Sequence, residues 1–135
     1  MKIFLAYKYT GEDPEVLKGI IDQIVSSLGK AGHTTFCSFD KNVFFTEQSY
    51  SYKQRLEYVI TELDSSDYVL AFVKSQEKSE GMLLEVGYAL AKGKKIILAI
   101  KSGVHVTFLS EIADVVIEFE EPDDLYSKLK MLFLS

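Results

Sequence analysis

The chain has a single cysteine, two prolines and no apolar run much longer than five residues. Cys37 by itself cannot close an internal disulfide. Nothing in the covalent chemistry asks for an oxidising compartment, and the cytoplasm is the expected residence. The longest apolar runs, such as Val69–Val73 and Ile96–Ile100, fall far short of the roughly 20 residues a membrane span needs. Met1-Lys2 leads straight into Ile3–Ala6, too short a stretch for a secretory h-region. Positive charge is in deficit: 15 basic residues face 20 acidic ones, for a net charge of -5. A general binder of polymeric nucleic acid or of a membrane surface needs a basic face, so neither is an expected partner. Repeats, linkers and low-complexity stretches are also missing. What remains is 135 residues, 47% hydrophobic and 26% charged, the make-up of one globular domain over 1–135.

Several chemistries are absent by motif. No G-x-G-x-x-G follows a strand and no G-x-x-x-x-G-K-[ST] occurs, so nothing supports dinucleotide binding by that motif and a P-loop is excluded. His33 and His105 stand far apart without C-x-x-C or H-x-x-x-H companions, so no metal is expected. No G-x-S-x-G elbow is present to support a serine triad.

Short apolar runs alternate with amphipathic stretches, the pattern of an α/β fold. Ile3–Ala6 reads as a first strand without alternation, hence buried on both faces. Asp13-Pro14 reads as the cap and first residue of a helix, and Gly29 and Gly32 as its end. Thr34–Phe39 reads as a second strand and Asp40–Tyr50, which has no clear period, as a loop. Ser51–Ser66 is a helix with Leu56, Val59, Ile60 and Leu63 inward. Strands at Tyr68–Val73, Lys95–Ile100 and Val115–Phe119 alternate with helices at Gly81–Lys92, Phe108–Ala113 and from Pro122 onward. The expected architecture is a flavodoxin-like or Rossmann-like three-layer sandwich on a five-stranded parallel sheet. Such sheets take ligands at the carboxyl ends of their strands, near the point where strand order reverses. That places any chemistry in Tyr7–Asp13, Asp40–Tyr50 and Lys74–Gly81.

The last segment opens into Ser79-Glu80-Gly81-Met82-Leu83-Leu84-Glu85-Val86-Gly87-Tyr88-Ala89-Leu90. Glu85 falls beside Met82, Ala89 and Leu90, an unusual setting for a solvent-facing carboxylate. Read as part of the first helical turn, it is favoured in its ionised form by the helix dipole. Gly87 and Ala89 are expected to clear bulk beside it. On spacing alone, Glu85 either decorates a helix start or is held there for chemistry.

Glu85-Val86-Gly87-Tyr88-Ala89-Leu90, set after Asp67-Tyr68-Val69-Leu70-Ala71 and before strand Ile96–Ile100, resembles the nucleoside 2-deoxyribosyltransferase superfamily. The order of elements agrees with it over nearly the whole chain. The resemblance implies that Glu85 is a nucleophile attacking the anomeric carbon of a nucleoside or nucleotide. A carboxylate beside C1′ stabilises the oxocarbenium-like state of N-glycoside cleavage and can trap it covalently. Ser79 and Gly81 match the branch that hydrolyses nucleoside 5′-monophosphates and binds the 5′-phosphate, where free-nucleoside transferases carry an aspartate. A hydroxyl and backbone N–H groups at a helix start do form an anion site. The stretch from Gly81 to Glu85 spans about 6 Å along a helix, comparable with the reach from 5′-phosphate to C1′.

In the first loop, Tyr7, Lys8, Tyr9, Thr10 and Gly11 are the implied wall of the sugar and phosphate, with Tyr7 on the sugar side. Relatives that hydrolyse nucleotides often place an arginine there; this chain has Lys8 and Thr10 as replacements, with Lys74 and Lys78 adding charge nearby. Eight residues before Asp67, where the family carries a base-side aspartate, stands Val59. The missing acid would then come from Asp40, Glu62 or Asp64, or be absent altogether. Phe44, Phe45 and Tyr50 either line a base pocket or cover a core edge.

The expected activity is hydrolysis of the N-glycosidic bond of a (deoxy)nucleoside 5′-monophosphate, with no cofactor. The resemblance also implies a homodimer. The alternatives are base exchange by a nucleoside 2-deoxyribosyltransferase, NAD cleavage by a Toll/interleukin-receptor-like domain, and a non-catalytic nucleotide-binding module.

Overall fold

The computed structural model describes residues 1–105 and 108–134. Five strands, β1 (Lys2–Ala6), β2 (Thr34–Cys37), β3 (Tyr68–Val73), β4 (Lys95–Lys101) and β5 (Val115–Phe119), form one sheet in the order β2-β1-β3-β4-β5. All four pairings are parallel; Phe4 lies between Phe36 and Val69, and Val69 lies against Ile96. This is the flavodoxin-like order, and its reversal point lies between β1 and β3.

Helices cover both faces, as parallel strands require. The helices α1 (Pro14–Lys30) and α6 (Pro122–Lys130) bury Leu17, Ile21, Ile24, Leu125 and Leu129 against Ile3, Leu5, Leu70 and Ile97. The opposite face carries α2 (Asn42–Glu47), α3 (Tyr52–Asp64), α4 (Glu80–Ala91) and α5 (Leu109–Ile112). There Val59, Leu63, Met82, Val86 and Ala89 pack on Phe4, Val69 and Leu98. Each strand sends alternate residues to the two layers, so the apolar runs needed no alternation. Among the described residues no helix is long and apolar enough to cross a membrane.

Local chemistry fixes the helix ends. Asp13 accepts from the N–H groups of Glu15 (2.9 Å) and Val16 (3.4 Å), with Pro14 inside the cap. The helix runs on through Gly29 to Lys30, and the chain reverses at Gly32, whose φ of +90° suits glycine alone. Gly29 is therefore a helical residue and not a stop. Ser51 and Gln54 form a reciprocal capping box at the start of α3.

The second strand is shorter than its β-branched and aromatic residues suggest. It ends at Cys37, and Ser38–Lys41 forms a 3-10 turn that passes into α2. Asp40–Tyr50 is thus largely helical, not a loop. Elements of four and six residues complete too few turns to display a period. They are held by packing: Phe45 stacks on Tyr50 at 5.6 Å and meets Tyr58 edge-on at 5.3 Å, while Phe44 closes on both tyrosines.

Candidate active site

At the β1/β3 reversal point the sheet edge opens into a cavity of about 240 Å³. Its floor comes from Tyr7 just past β1, Ser38 just past β2, and the start of α4; its roof comes from α2 and α3. Glu85 lines it, together with Ser79 and Gly81, so the glutamate faces a concavity and not open water.

The sheet delivers these groups because every strand points its carboxyl end the same way. β3 ends at Val73, and the chain returns as α4, capped by Ser79. The Ser79 hydroxyl oxygen accepts from the Met82 N–H at 3.2 Å. Accepting leaves its own O–H free to donate. The N–H groups of Glu80 and Gly81, in the first turn, have no intrahelical acceptor to reach. Three donors therefore gather at the positive end of a 12-residue helix. Across from them, the Tyr52 hydroxyl comes within 3.7 Å of where a Cβ on Gly81 would stand.

Glu85 is the sixth residue of α4, beyond the first turn, where the helix dipole has faded. Burial decides its state instead and pushes the carboxyl up to about 8. In the unliganded protein at neutral pH it is mostly protonated, contrary to the expectation of an ionised group. Gly87 does not clear space for it, because it is exposed, whereas Ala89 is buried in the core under the sheet. A helix turns about 100° per residue, which carries Gly87 to the far side from Glu85 and leaves Ala89 one turn on along nearly the same side.

Tyr7 is nearly buried, with its hydroxyl 3.2 Å from the Ser38 hydroxyl. Burial and then the nearby Cys37 raise its phenol well above the ordinary range, with Glu85 adding to the rise. Cys37 is only 4% exposed, and burial pushes its thiol up to about 12. Neither Tyr7 nor Cys37 is an anion at any ordinary pH.

Tyr9 and Thr10 also line the cavity, Tyr9 with its ring edge-on to Phe39 at 5.9 Å. Lys8 and Gly11 do not. They belong to a neighbouring, charged hollow, where the Lys8 ammonium pairs with Glu77 at 2.7 Å and with Glu12 at 3.8 Å. Lys74 is spent on Glu12 at 3.2 Å, and Lys78 lies outside the cavity wall. Asp40 is exposed on the 3-10 turn and does not line the cavity, although its charge acts on Tyr7 at the cavity floor and on Cys37. Glu62 is tied to Lys2 at 2.7 Å, and Asp64 accepts from the Tyr88 hydroxyl at 2.7 Å. None of the three replacement acids therefore stands at the cavity. Val59 does line it, 5% exposed. Of the aromatic candidates Phe45 lines the cavity, while Phe44 and Tyr50 pack behind it.

The residue the sequence reading missed is Arg55, the sole arginine of the chain. Tyr52, Arg55, Leu56 and Val59 follow helical spacing and form the stripe of α3 that borders the cavity. That spacing was the available signal. The Arg55 guanidinium lies 5.7 Å from the centre of the Phe45 ring, and its Nε–H donates to the Tyr50 carbonyl at 3.4 Å. Among the described residues no group of three or more His, Cys, Asp or Glu side chains could hold a metal ion.

The fold and this glutamate-bearing helix define a flavodoxin-like α/β domain with a cavity at the point where strand order reverses. The family model for nucleoside 2-deoxyribosyltransferase matches residues 3–125, and the chain belongs to that family. Among solved structures, a CMP N-glycosidase of Clostridium botulinum is 22% identical, covering 98% of this chain and 100% of that one, with a TM-score of 0.72. A 2-deoxyribosyltransferase of Bacillus psychrosaccharolyticus is 20% identical with 96% of each chain covered and a TM-score of 0.70. A conserved protein of Enterococcus faecalis is 16% identical, covering 97% and 98%, with a TM-score of 0.68. Comparison with curated protein sequences gives no match.

Proposed function

We propose that the protein hydrolyses the N-glycosidic bond of a (deoxy)nucleoside 5′-monophosphate. The observation that carries this reading is the pairing, in one cavity, of a lone carboxyl with an uncommitted donor set at the start of the same helix. The 5′-phosphate would sit on the Ser79 hydroxyl and the N–H groups of Glu80 and Gly81, with Tyr9, Thr10 and the Tyr52 hydroxyl around it. The sugar would then lie over Tyr7, with C1′ at Glu85. The carboxylate attacks C1′ as the C1′–N bond breaks and the base leaves with the bonding electrons. Water next attacks C1′, the ester bond breaks, and the free sugar phosphate and the glutamate are regenerated.

The test is a panel of nucleoside 5′-monophosphates scored for free base, with Glu85→Ala as control. Inorganic phosphate is expected to compete at millimolar concentration, and Ser79→Ala to weaken that competition about tenfold, the loss of one charge-assisted hydrogen bond. Absence of competition would remove the anion site from the scheme.

A second reading, base exchange between nucleosides, is favoured by the likeness to the Bacillus enzyme. Adding a free acceptor base and looking for a new nucleoside separates the two. A cavity of about 240 Å³ fits one nucleotide better than NAD, whose turnover is the check on that alternative. The non-catalytic module would be supported if the wild type bound nucleotides but released no base from any.

The homodimer also stands as a proposal. On α4, Leu84 and Leu90 are 54% and 48% exposed on either side of Gly87, an open apolar strip next to the cavity. Such a strip suits contact with a second copy. Sedimentation is expected to report twice 15.3 kDa, and Leu90→Lys to shift the mass toward the monomer.

A further inference from the structure

Glu12 has no part in the scheme above, yet it holds the lysines beside the cavity out of it. One of its carboxylate oxygens lies 3.8 Å from the Lys8 ammonium and the other 3.2 Å from that of Lys74. The Glu12 and Lys8 side chains are only 14% and 15% exposed, so water and salt screen this grouping less than an ordinary surface pair. Lys8 also meets Glu77 at 2.7 Å, out where Glu77 is 75% exposed.

The sheet puts these groups side by side. The strands β1 and β3 are neighbours, so the chain leaving β1 at Ala6 and the chain leaving β3 at Val73 emerge next to each other. The first carries a turn from Tyr9 to Glu12, closed by the Glu12 N–H on the Tyr9 carbonyl at 3.1 Å, with Gly11 in its third place at φ +82°. That turn faces two ways. Tyr9 and Thr10 line the cavity beside Glu85, whereas Gly11 and Glu12 line the charged hollow. The second segment carries Lys74, Gln76 and Glu77 and runs into Ser79, the cap of α4. Its side chains lead outward: Lys74 to Glu12, Glu77 to Lys8, and the Gln76 amide oxygen to the His105 N–H at 2.9 Å. Tyr9 and Thr10 on one loop, and Ser79 and Gly81 at the end of the other, are thus joined through a carboxylate that does not itself line the cavity.

We propose that Glu12 is a positioning residue, which locks these two loops together so that the 5′-phosphate meets donors already in place. This rests on the reading of Ser79, Glu80 and Gly81 as the phosphate site. Without the Glu12 charge, Lys8 and Lys74 face each other with nothing shared between them, and like-charge repulsion parts the loops. Donors shifted by a fraction of an ångström hold the same anion less well. The phosphate lies away from the breaking bond and is bound alike before and during cleavage, so the loss falls on KM and not on kcat.

The experiment measures inorganic phosphate binding by titration calorimetry, and kcat and KM on nucleoside 5′-monophosphates, in wild type, Glu12→Gln, Lys74→Met and the double variant, with circular dichroism and thermal melting as checks on folding. Glu12→Gln is expected to raise the phosphate Kd and the KM about tenfold, the scale of one charge-assisted contact, with kcat within about threefold of wild type. Lys74→Met should raise both about threefold, because Lys8 keeps its partners. The double variant should lose no more than Glu12→Gln alone, since the two residues act through one contact. A merely structural role would lower the melting temperature with kcat and KM moving together, or make the two losses multiply, and either result overturns the proposal. So does a tighter phosphate Kd in Glu12→Gln, which would mean that the released lysines reach the anion themselves. Lys74 is 30% exposed, and if Glu12→Gln does not fold, an unchanged KM in Lys74→Met overturns the proposal by itself. Phosphate bound by wild type and by both variants alike sinks this inference and leaves the anion site standing. No phosphate bound and no base released by wild type sinks both.

Discussion

Glu85→Ala is expected to release base at least about 10³-fold more slowly than wild type, the scale seen when a covalent nucleophile is removed. The loss should fall on kcat, because the anion site at Ser79 and Gly81 is untouched and still binds the substrate phosphate. Glu85→Gln should be as inactive as the alanine variant while keeping the shape of the cavity. The reason is geometric as well as chemical. Among the described residues no other carboxyl borders the cavity, so no neighbour can take over the attack on C1′. Rates of base release in single turnovers are the measurement. Retained turnover in either variant would move the chemistry away from α4.

The second large effect is on stability. An unfolded glutamate releases its proton near 4.5, whereas burial raises the folded Glu85 to about 8. Between those values folding takes up a proton, so the contribution of this group to stability falls as pH rises, and the penalty is complete above about 8. A shift of this size corresponds to at most about 5 kcal/mol. The side chain keeps some contact with solvent through the cavity mouth, so about 2–3 kcal/mol is the expected share. Glutamine mimics the protonated acid and cannot ionise. Glu85→Gln should therefore melt about 8–12 °C higher than wild type at pH 9 and within about 2 °C of it at pH 5. Thermal denaturation across that range is the measurement, and a difference independent of pH would refute it. The same titration governs turnover with the opposite sign. The nucleophile is the ionised form, so kcat/KM should rise toward pH 8 and level off above it. Tyr7 at the floor, and Cys37 buried near it, stay protonated throughout and add no second limb. A stabilising inactive variant at a buried acid is the signature of a group kept for chemistry at the cost of the fold.

How far the sequence discloses this arrangement differs from element to element. The strands and the start of α4 are written locally. Apolar runs bounded by turns define the strands, and Ser79 before an apolar helix is a cap on any reading. The 3-10 turn and α2 are not local: they depend on Phe45, Tyr50 and Tyr58, which meet only after the chain has folded. Lys8 shows a different difficulty. Its place in the first loop is visible from the sequence, but Glu12 and Glu77 draw its ammonium out of the cavity. The protonation of Glu85 was misread because the helix dipole is a near-neighbour effect and burial is a property of the whole fold. Arg55 escaped notice because a polar residue beside an apolar stripe usually marks the solvent face. Only the roof of α2 makes that stripe of α3 an inner wall.

The lone thiol has a use that follows from its position. Cys37 ends the edge strand β2 under the 3-10 turn, shielded and uncharged. An alkylating reagent reacts with the thiolate, so it stays silent while the sheet edge is closed and responds when that edge unzips. Because the chain has no second cysteine, mass spectrometry after a timed pulse of reagent counts opening events directly, without a label having to be installed.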